Sequence, residues 1–197
     1  MAEAAEIITR RSPLQHRAGA LTAASDASAS IVEIPFQALT VVRGDLSDAA
    51  FRERSAAALG YELPSAPNGT ASDHRTTALW LGPDEWLVIG PDGSGADTRA
   101  RLRESLAGLH AAVVDVGGSR TLLELRGPGA RAALESVCII DLHPRTFPPG
   151  RCAQTMIGPA QIILLMRNDA PTWWLFVRSS FADWLAAWLT DALGNTR

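Results

Sequence analysis

Lysine is absent from this sequence: all eighteen basic residues are arginine, set against twenty-one acidic ones for a net charge of −3. The absence excludes chemistry that needs a primary amine, namely a Schiff-base nucleophile, a pyridoxal-phosphate anchor and the P-loop contact to a nucleotide phosphate. No basic block stands out, so the phosphate-neutralising charge that dominates nucleic-acid binding is missing and nucleic acid is not an expected partner. Cysteine is scarce too. Cys138 and Cys152, with His143 between them, lack the closely spaced ligand pairs of a structural zinc site, so they read as a buried thiol and a strand thiol and no metal site is expected. No apolar run approaches the roughly 18 residues that span a bilayer. The Ala/Ser-rich stretch after Arg10 and Arg11 has no apolar segment of the secretory kind, so a cytoplasmic protein without membrane contact is expected.

What is present is ordinary for a folded chain. Hydrophobic residues make up 47% and charged residues 20% of the 197 positions, and a chain of this size buries about 70% of its unfolded surface without needing a staple. Residues 1–30 have little apolar mass around Ala23–Ser30 and read as a flexible N-terminal arm. Strand patterns follow at Ile31–Phe36 and Leu39–Arg43. A helix follows these, capped by Ser47 or Asp48, with Phe51, Ser55, Ala58 and Leu59 on one face and Gly60 as its stop. The run Ala78–Leu81, a Gly82-Pro83-Asp84 turn and the run Trp86–Ile89 form a hairpin, and Asp97 or Thr98 opens a helix carrying Leu102, Leu106 and Leu109.

The second part of the chain repeats this order. Val113–Val116 and Thr121–Leu125 read as strands, and Gly127-Pro128-Gly129 opens a helix with Ala130, Ala133, Leu134, Val137 and Cys138 facing inward. Three strands follow, at Gln154–Ile157, Ile162–Met166 and Trp173–Arg178. In the closing helix Phe181, Trp184, Leu185, Trp188 and Leu189 recur at helical spacing, and Gly194 ends it. Each part ends in an apolar strand and an amphipathic helix. The expected fold class is therefore α+β, an internal pseudo-repeat of two ferredoxin-like split β-α-β halves, 31–110 and 111–197, packed as one compact unit.

Several residues attract a functional reading. His143 lies between Asp141 and Arg145, but no Gly-x-Ser-x-Gly elbow accompanies it and sequence neighbours rarely form a triad, so it reads as a loop histidine fixing its turn. Trp184 and Trp188 read as core, while Trp173 and Trp174 alternate across a strand and place at least one indole toward solvent or a partner. The loop Arg145-Thr146-Phe147-Pro148-Pro149-Gly150-Arg151 is stiffened by two prolines and suits a structural corner or a rigid docking loop equally. The expected partner contacts are therefore Trp173, Trp174, Arg145, Phe147 and Arg151.

The segment Val113-Val114-Asp115-Val116-Gly117-Gly118-Ser119-Arg120, followed by Leu123-Glu124-Leu125-Arg126-Gly127-Pro128-Gly129-Ala130, resembles the Asp-Val-Ser … Gly-Pro-x-Ala opening of the glycine-cleavage T-protein superfamily. A second segment narrows this. Asp141-Leu142-His143-Pro144-Arg145-Thr146-Phe147-Pro148-Pro149-Gly150-Arg151-Cys152-Ala153-Gln154-Thr155 is similar to the gamma-subunit family of heterotetrameric sarcosine oxidases. The segments Leu79–Val88 and Val177–Ala182 fit the same family in order. The resemblance implies a T-protein-like fold and a subunit of a complex that oxidises sarcosine to glycine and peroxide while passing the one-carbon unit to tetrahydrofolate. It also implies alpha, beta and delta subunits as partners, which carry the FAD, FMN, NAD and tetrahydrofolate.

For this chain itself the expectation is no catalytic, cofactor-binding or metal residue. It has no Gly-x-Gly-x-x-Gly after a strand, the backbone cradle a dinucleotide needs. T-proteins place an essential Asp in a Gly-Gly-x-x-Asp-Asp segment, and the resemblance sets Gly158-Pro159-Ala160-Gln161-Ile162-Ile163-Leu164-Leu165 there, with aliphatic groups in place of carboxylates. The alternatives are a free-standing folate-dependent aminomethyltransferase-like protein and a subunit of a related N-methyl amino-acid dehydrogenase.

Overall fold

In the computed structural model, which describes residues 9–195, ten strands form two five-stranded antiparallel sheets and five α-helices cover them. The strands are β1 (Ser30–Ile34), β2 (Ala38–Arg43), β3 (Thr70–Ser72), β4 (Thr77–Gly82), β5 (Glu85–Gly90), β6 (Ala112–Asp115), β7 (Arg120–Arg126), β8 (Cys152–Ile157), β9 (Ala160–Asn168) and β10 (Thr172–Arg178). The helices are α1 (Ala18–Ala24), α2 (Ala49–Leu59), α3 (Gly95–Ser105), α4 (Ala130–Glu135) and α5 (Ala182–Asn195). One sheet runs β1-β7-β10-β9-β8 and the other β6-β2-β5-β4-β3. Matched position by position, the two orders are the same, so the pseudo-repeat extends to strand topology.

The layers follow from where apolar side chains fall. Leu39, Leu79, Leu87 and Ile89 of one sheet meet Leu122, Ile163, Leu165 and Phe176 of the other in a shared core. The opposite faces pack under helices: Leu123, Leu164, Trp173 and Leu175 under α1, α4 and α5, and Val42, Ala78, Trp86 and Val88 under α2 and α3. Sheets covered on both sides cannot alternate polar and apolar residues, which is why Ile162–Met166 and Trp86–Ile89 read as unbroken apolar runs.

The sequence boundaries need two corrections. The halves do not divide at 110/111, because each sheet takes its outer strand from the other half. β1 pairs antiparallel with β7, Ile31 opposite Leu125, and β6 pairs antiparallel with β2, Val113 opposite Val42. Residues 35–37 and 116–119 are the links. The first link turns at Phe36, whose φ is +60°, and the second contains a 3-10 turn over Gly117–Ser119, and each carries the chain from one sheet to the other instead of closing a hairpin.

Nor is the segment before β1 an arm, as far as the described residues 9–30 go; residues 1–8 of the expected arm lie outside them. Leu14 is 0% exposed and Leu21 is buried with it in the core beneath α1. Ser12 Oγ and the Leu14 N–H both donate to the Glu33 carboxylate, at 2.5 and 3.3 Å, and Thr121 Oγ1 donates to it at 2.6 Å. Arg17 and His16 hold the Asp183 carboxyl well below its usual range. Two buried leucines and these polar ties anchor the segment, a signal that average composition dilutes.

Smaller differences are local. α2 starts and stops as expected, with Asp48 accepting from the Ala50 N–H and Gly60 left-handed at φ 87°. α3 starts earlier, at Gly95, and Ser94 makes no side-chain cap. α4 ends at Glu135, so Val137 and Cys138 pack from the turn beyond it. α5 runs through Gly194.

Candidate functional site

The inner face of each sheet is apolar in the middle and charged toward its ends. On β7 the residues sharing the parity of Leu122 are Arg120, Glu124 and Arg126, and on β10 those sharing the parity of Phe176 are Thr172, Trp174 and Arg178. At one end Trp174 lies opposite Glu124. Its indole N–H donates to Glu124 Oε2 at 2.9 Å, and Arg126 donates to the other oxygen of this buried carboxylate. The Arg167 guanidinium stacks over the Trp174 ring, 3.9 Å from its centroid. Burial lowers the pKa of Arg167, and Glu124 opposes that shift. These side chains line an open groove of about 650 Å³ that continues past Asp26 and Pro128. A charged pair pinned to an indole offers a rigid, mixed polar and aromatic contact surface.

Two of the residues expected at a partner contact, Trp173 and Phe147, are instead interior. Trp173 is 0% exposed, and Phe147, also buried, packs on it with ring centroids 5.6 Å apart. The parity that turns Trp174 toward the space between the sheets turns Trp173 under the helices, where the Arg131 guanidinium sits 5.1 Å from its centroid. The proline-rich loop thus inserts Phe147 as an anchor and leaves Arg145 exposed and Arg151 half-buried. Asp141 orders the loop, accepting from the His143 N–H at 2.9 Å and Thr146 Oγ1 at 2.8 Å, and these bonds lower its pKa. The His143 carbonyl accepts from the N–H groups of Thr146 and Phe147, the turn-fixing role its position suggests.

Trp188, expected in the core, is 47% exposed and stacks on half-buried Trp184 at 5.0 Å. The buried stripe of α5 runs through Ala182, Leu185, Ala186, Leu189 and Leu193, and both tryptophans flank it. Sequence reasoning passed over Glu124, Arg167 and Arg120. Their signal was there: Arg120, Glu124 and Arg126 share one face of β7 with Leu122, and Arg167 follows Ile163 and Leu165 on the same face of β9.

Ile163 and Leu165 fill the core between the sheets, and Ile162 and Leu164 fill the one under the helices. No group of three or more His, Cys, Asp or Glu side chains suited to a metal ion occurs among the described residues. Cys152 is buried, its thiol 3.5 Å from the Trp80 carbonyl, and burial pushes its pKa up to about 11. At pH 8 only about one Cys152 in a thousand is therefore a thiolate. A thiol reagent is expected to modify at most Cys138 in the native protein and to reach Cys152 only after unfolding. Fast labelling of both, read by peptide mass, contradicts this.

Residues 43–195 match the family model described as the sarcosine oxidase, gamma subunit family. The sarcosine oxidase subunit gamma of an Arthrobacter species is 38% identical over 186 residues, covering 93% of this chain and 90% of that protein. Among solved structures, a chain of the heterotetrameric sarcosine oxidase from Corynebacterium sp. U-96, in complex with pyrrole 2-carboxylate, superposes with a TM-score of 0.87. That chain is 31% identical, and the match covers 95% of this chain and 96% of that one. The glycine cleavage system aminomethyltransferase T from Bartonella henselae reaches a TM-score of 0.66 at 16% identity over 86% of this chain and 47% of its own, a likeness of fold.

Proposed function

The chain belongs to the sarcosine oxidase, gamma subunit family, and from that premise we propose that it is the gamma subunit of a heterotetrameric sarcosine oxidase and performs no chemistry of its own. Its part is structural: it supports a complex that oxidises sarcosine to glycine and peroxide and passes the one-carbon unit to tetrahydrofolate. FAD, FMN, NAD and tetrahydrofolate belong to the partner subunits, alpha, beta and delta. No helix among the described residues is long and apolar enough to cross a membrane, and a cytoplasmic complex is the reading we adopt.

One observation carries the non-catalytic role. The segment where the T-protein resemblance would put carboxylates holds Ile163 and Leu165, and both are packed between the sheets. An aliphatic side chain can neither move a proton nor stabilise an iminium, and a folate carbon has no access to a filled core. Exposed Arg145, half-buried Arg151 and the Trp174–Arg167 stack are the proposed partner contacts, since arginine and aromatic side chains are enriched at interfaces.

Co-expression with the other three subunits and native mass spectrometry test the proposal. The expected result is a four-subunit flavin-bearing complex containing this chain, while the isolated chain is colourless and inactive. Sarcosine turnover by the isolated chain, or micromolar tetrahydrofolate binding by calorimetry, would overturn it in favour of a folate-dependent transferase.

A further inference from the structure

At the end of the inner face opposite the Trp174 groove, Arg178 of β10 lies directly across from Arg120 of β7. Like charges at facing positions of an antiparallel pair repel. Arg120 Nη1 is also buried and has no hydrogen-bond partner among the described residues. A buried donor left without an acceptor is unfavourable, the more so when the group is charged.

The acid set against this pair among the described residues is already shared. Glu85 is the acidic group that acts on Arg120. It also lies 4.0 Å from Arg43, whose guanidinium is held by Asp84 at 2.7 Å. Arg120 and Arg43 therefore share Glu85, and Asp84 is already engaged by Arg43. Burial, with Arg178 adding to it, lowers the pKa of Arg120, but a guanidinium stays charged in proteins and cannot relieve the strain by losing its proton. A water molecule could accept from Nη1, yet it would leave the repulsion between the two cations in place. An anion meets both needs.

We propose that Arg120 and Arg178 form a docking site for an Asp or Glu side chain of a neighbouring subunit in the assembled complex, an inference that rests on the subunit role proposed above. Arg178 is exposed and Arg120 half-buried, so the pair is reachable at the surface and has one buried fork. The backbone around it is tied down. Ser179 Oγ donates to the Gly118 carbonyl at 3.3 Å, joining the link before β7 to the turn after β10. Two forks on a fixed ladder suit a carboxylate, whose two oxygens accept bidentate arginine contacts.

Arg120→Met and Arg178→Met, with Arg120→Lys as the variant that keeps charge but not the fork, separate this role from folding. Each is compared with wild type in the co-expressed complex by dilution and native mass spectrometry at 50 and 500 mM NaCl, and as the isolated chain by thermal unfolding. The expected result is association weakened at least about thirtyfold by either Met substitution and partly restored by Lys. The isolated Met variants are expected to be as stable as wild type or more so, because repulsion has been removed. Met variants that assemble with unchanged affinity and salt dependence overturn the docking site while leaving the subunit role intact. If, besides, 50 mM acetate stabilises only the isolated wild type, the pair holds a free anion and the proposal is equally overturned. If wild type itself fails to assemble, the subunit role falls and takes the docking site with it.

Discussion

Gly127→Val is expected to destabilise the protein by at least about 3 kcal/mol, lowering its melting temperature by roughly 10 °C. Gly127 sits between β7 and α4 at φ 112°, a conformation that side-chain-bearing residues rarely adopt. Steric crowding compounds the strain. A Cβ at this position would collide with the Ser28 carbonyl oxygen and come within 3.0 Å of the Ala29 Cα. The Ser28 carbonyl is meanwhile engaged by the Gly129 N–H at 3.0 Å, and the Gly127 N–H donates to the Pro171 carbonyl at 2.9 Å. The Gly-Pro-Gly turn is thus the clamp that seats the chain entering β1 on the edge of the sheet. Displacing it detaches the strand contributed from the other half of the sequence. Calorimetry on wild type and variant measures the effect, and a variant melting within about 2 °C of wild type would mean that this clamp does not hold β1.

Trp173→Ala is expected to cost about 3–5 kcal/mol, whereas Trp188→Ala, which loses its stack on Trp184 and leaves no closed cavity, costs about 1 kcal/mol. Trp173 is among the largest fully buried side chains, enclosed by Phe147 from the proline-rich loop and by Arg131 from α4. Removing it leaves a cavity that a sheet on one side and three helices on the other cannot close, and it releases the anchor of the 145–151 loop. Trp173→Phe separates volume from polarity. The Trp173 indole N–H has no hydrogen-bond partner among the described residues, so losing it removes an unsatisfied donor and the phenylalanine variant keeps most of the stability. Urea unfolding of the three variants ranks them, and a Trp188→Ala loss equal to that of Trp173→Ala would contradict the burial pattern.

Much of this fold was legible residue by residue. The apolar runs of β5, β9 and β10, the Asp48 cap and Gly60 stop of α2, and the Gly82–Asp84 turn are local features, decided by side-chain period and backbone preference over a few positions. The pseudo-repeat was legible as well, since each half spells the same order of elements. The site was less so. Period-two alternation places Trp173 and Trp174 on opposite faces but does not say which face lies under helices, and here both faces of the sheet are covered. Phe147 was misplaced for a similar reason: a loop rich in proline and arginine reads as surface unless the cavity waiting for its one aromatic ring is known.

The order of amino acids by itself determined most of the strands and helices, α1 and β3 excepted, that amine and nucleic-acid chemistry are excluded, and to which family the chain belongs. Only the tertiary structure decided that β1 and β6 change sheets, that Leu14 and Leu21 pin the segment ahead of β1, and that Arg120 faces Arg178 at the rim of the inner core. The division has a physical cause. Strand propensity and face parity are properties of neighbouring residues, whereas the choice between two equally apolar sheet edges depends on partners about ninety positions apart, brought together only once both sheets have packed.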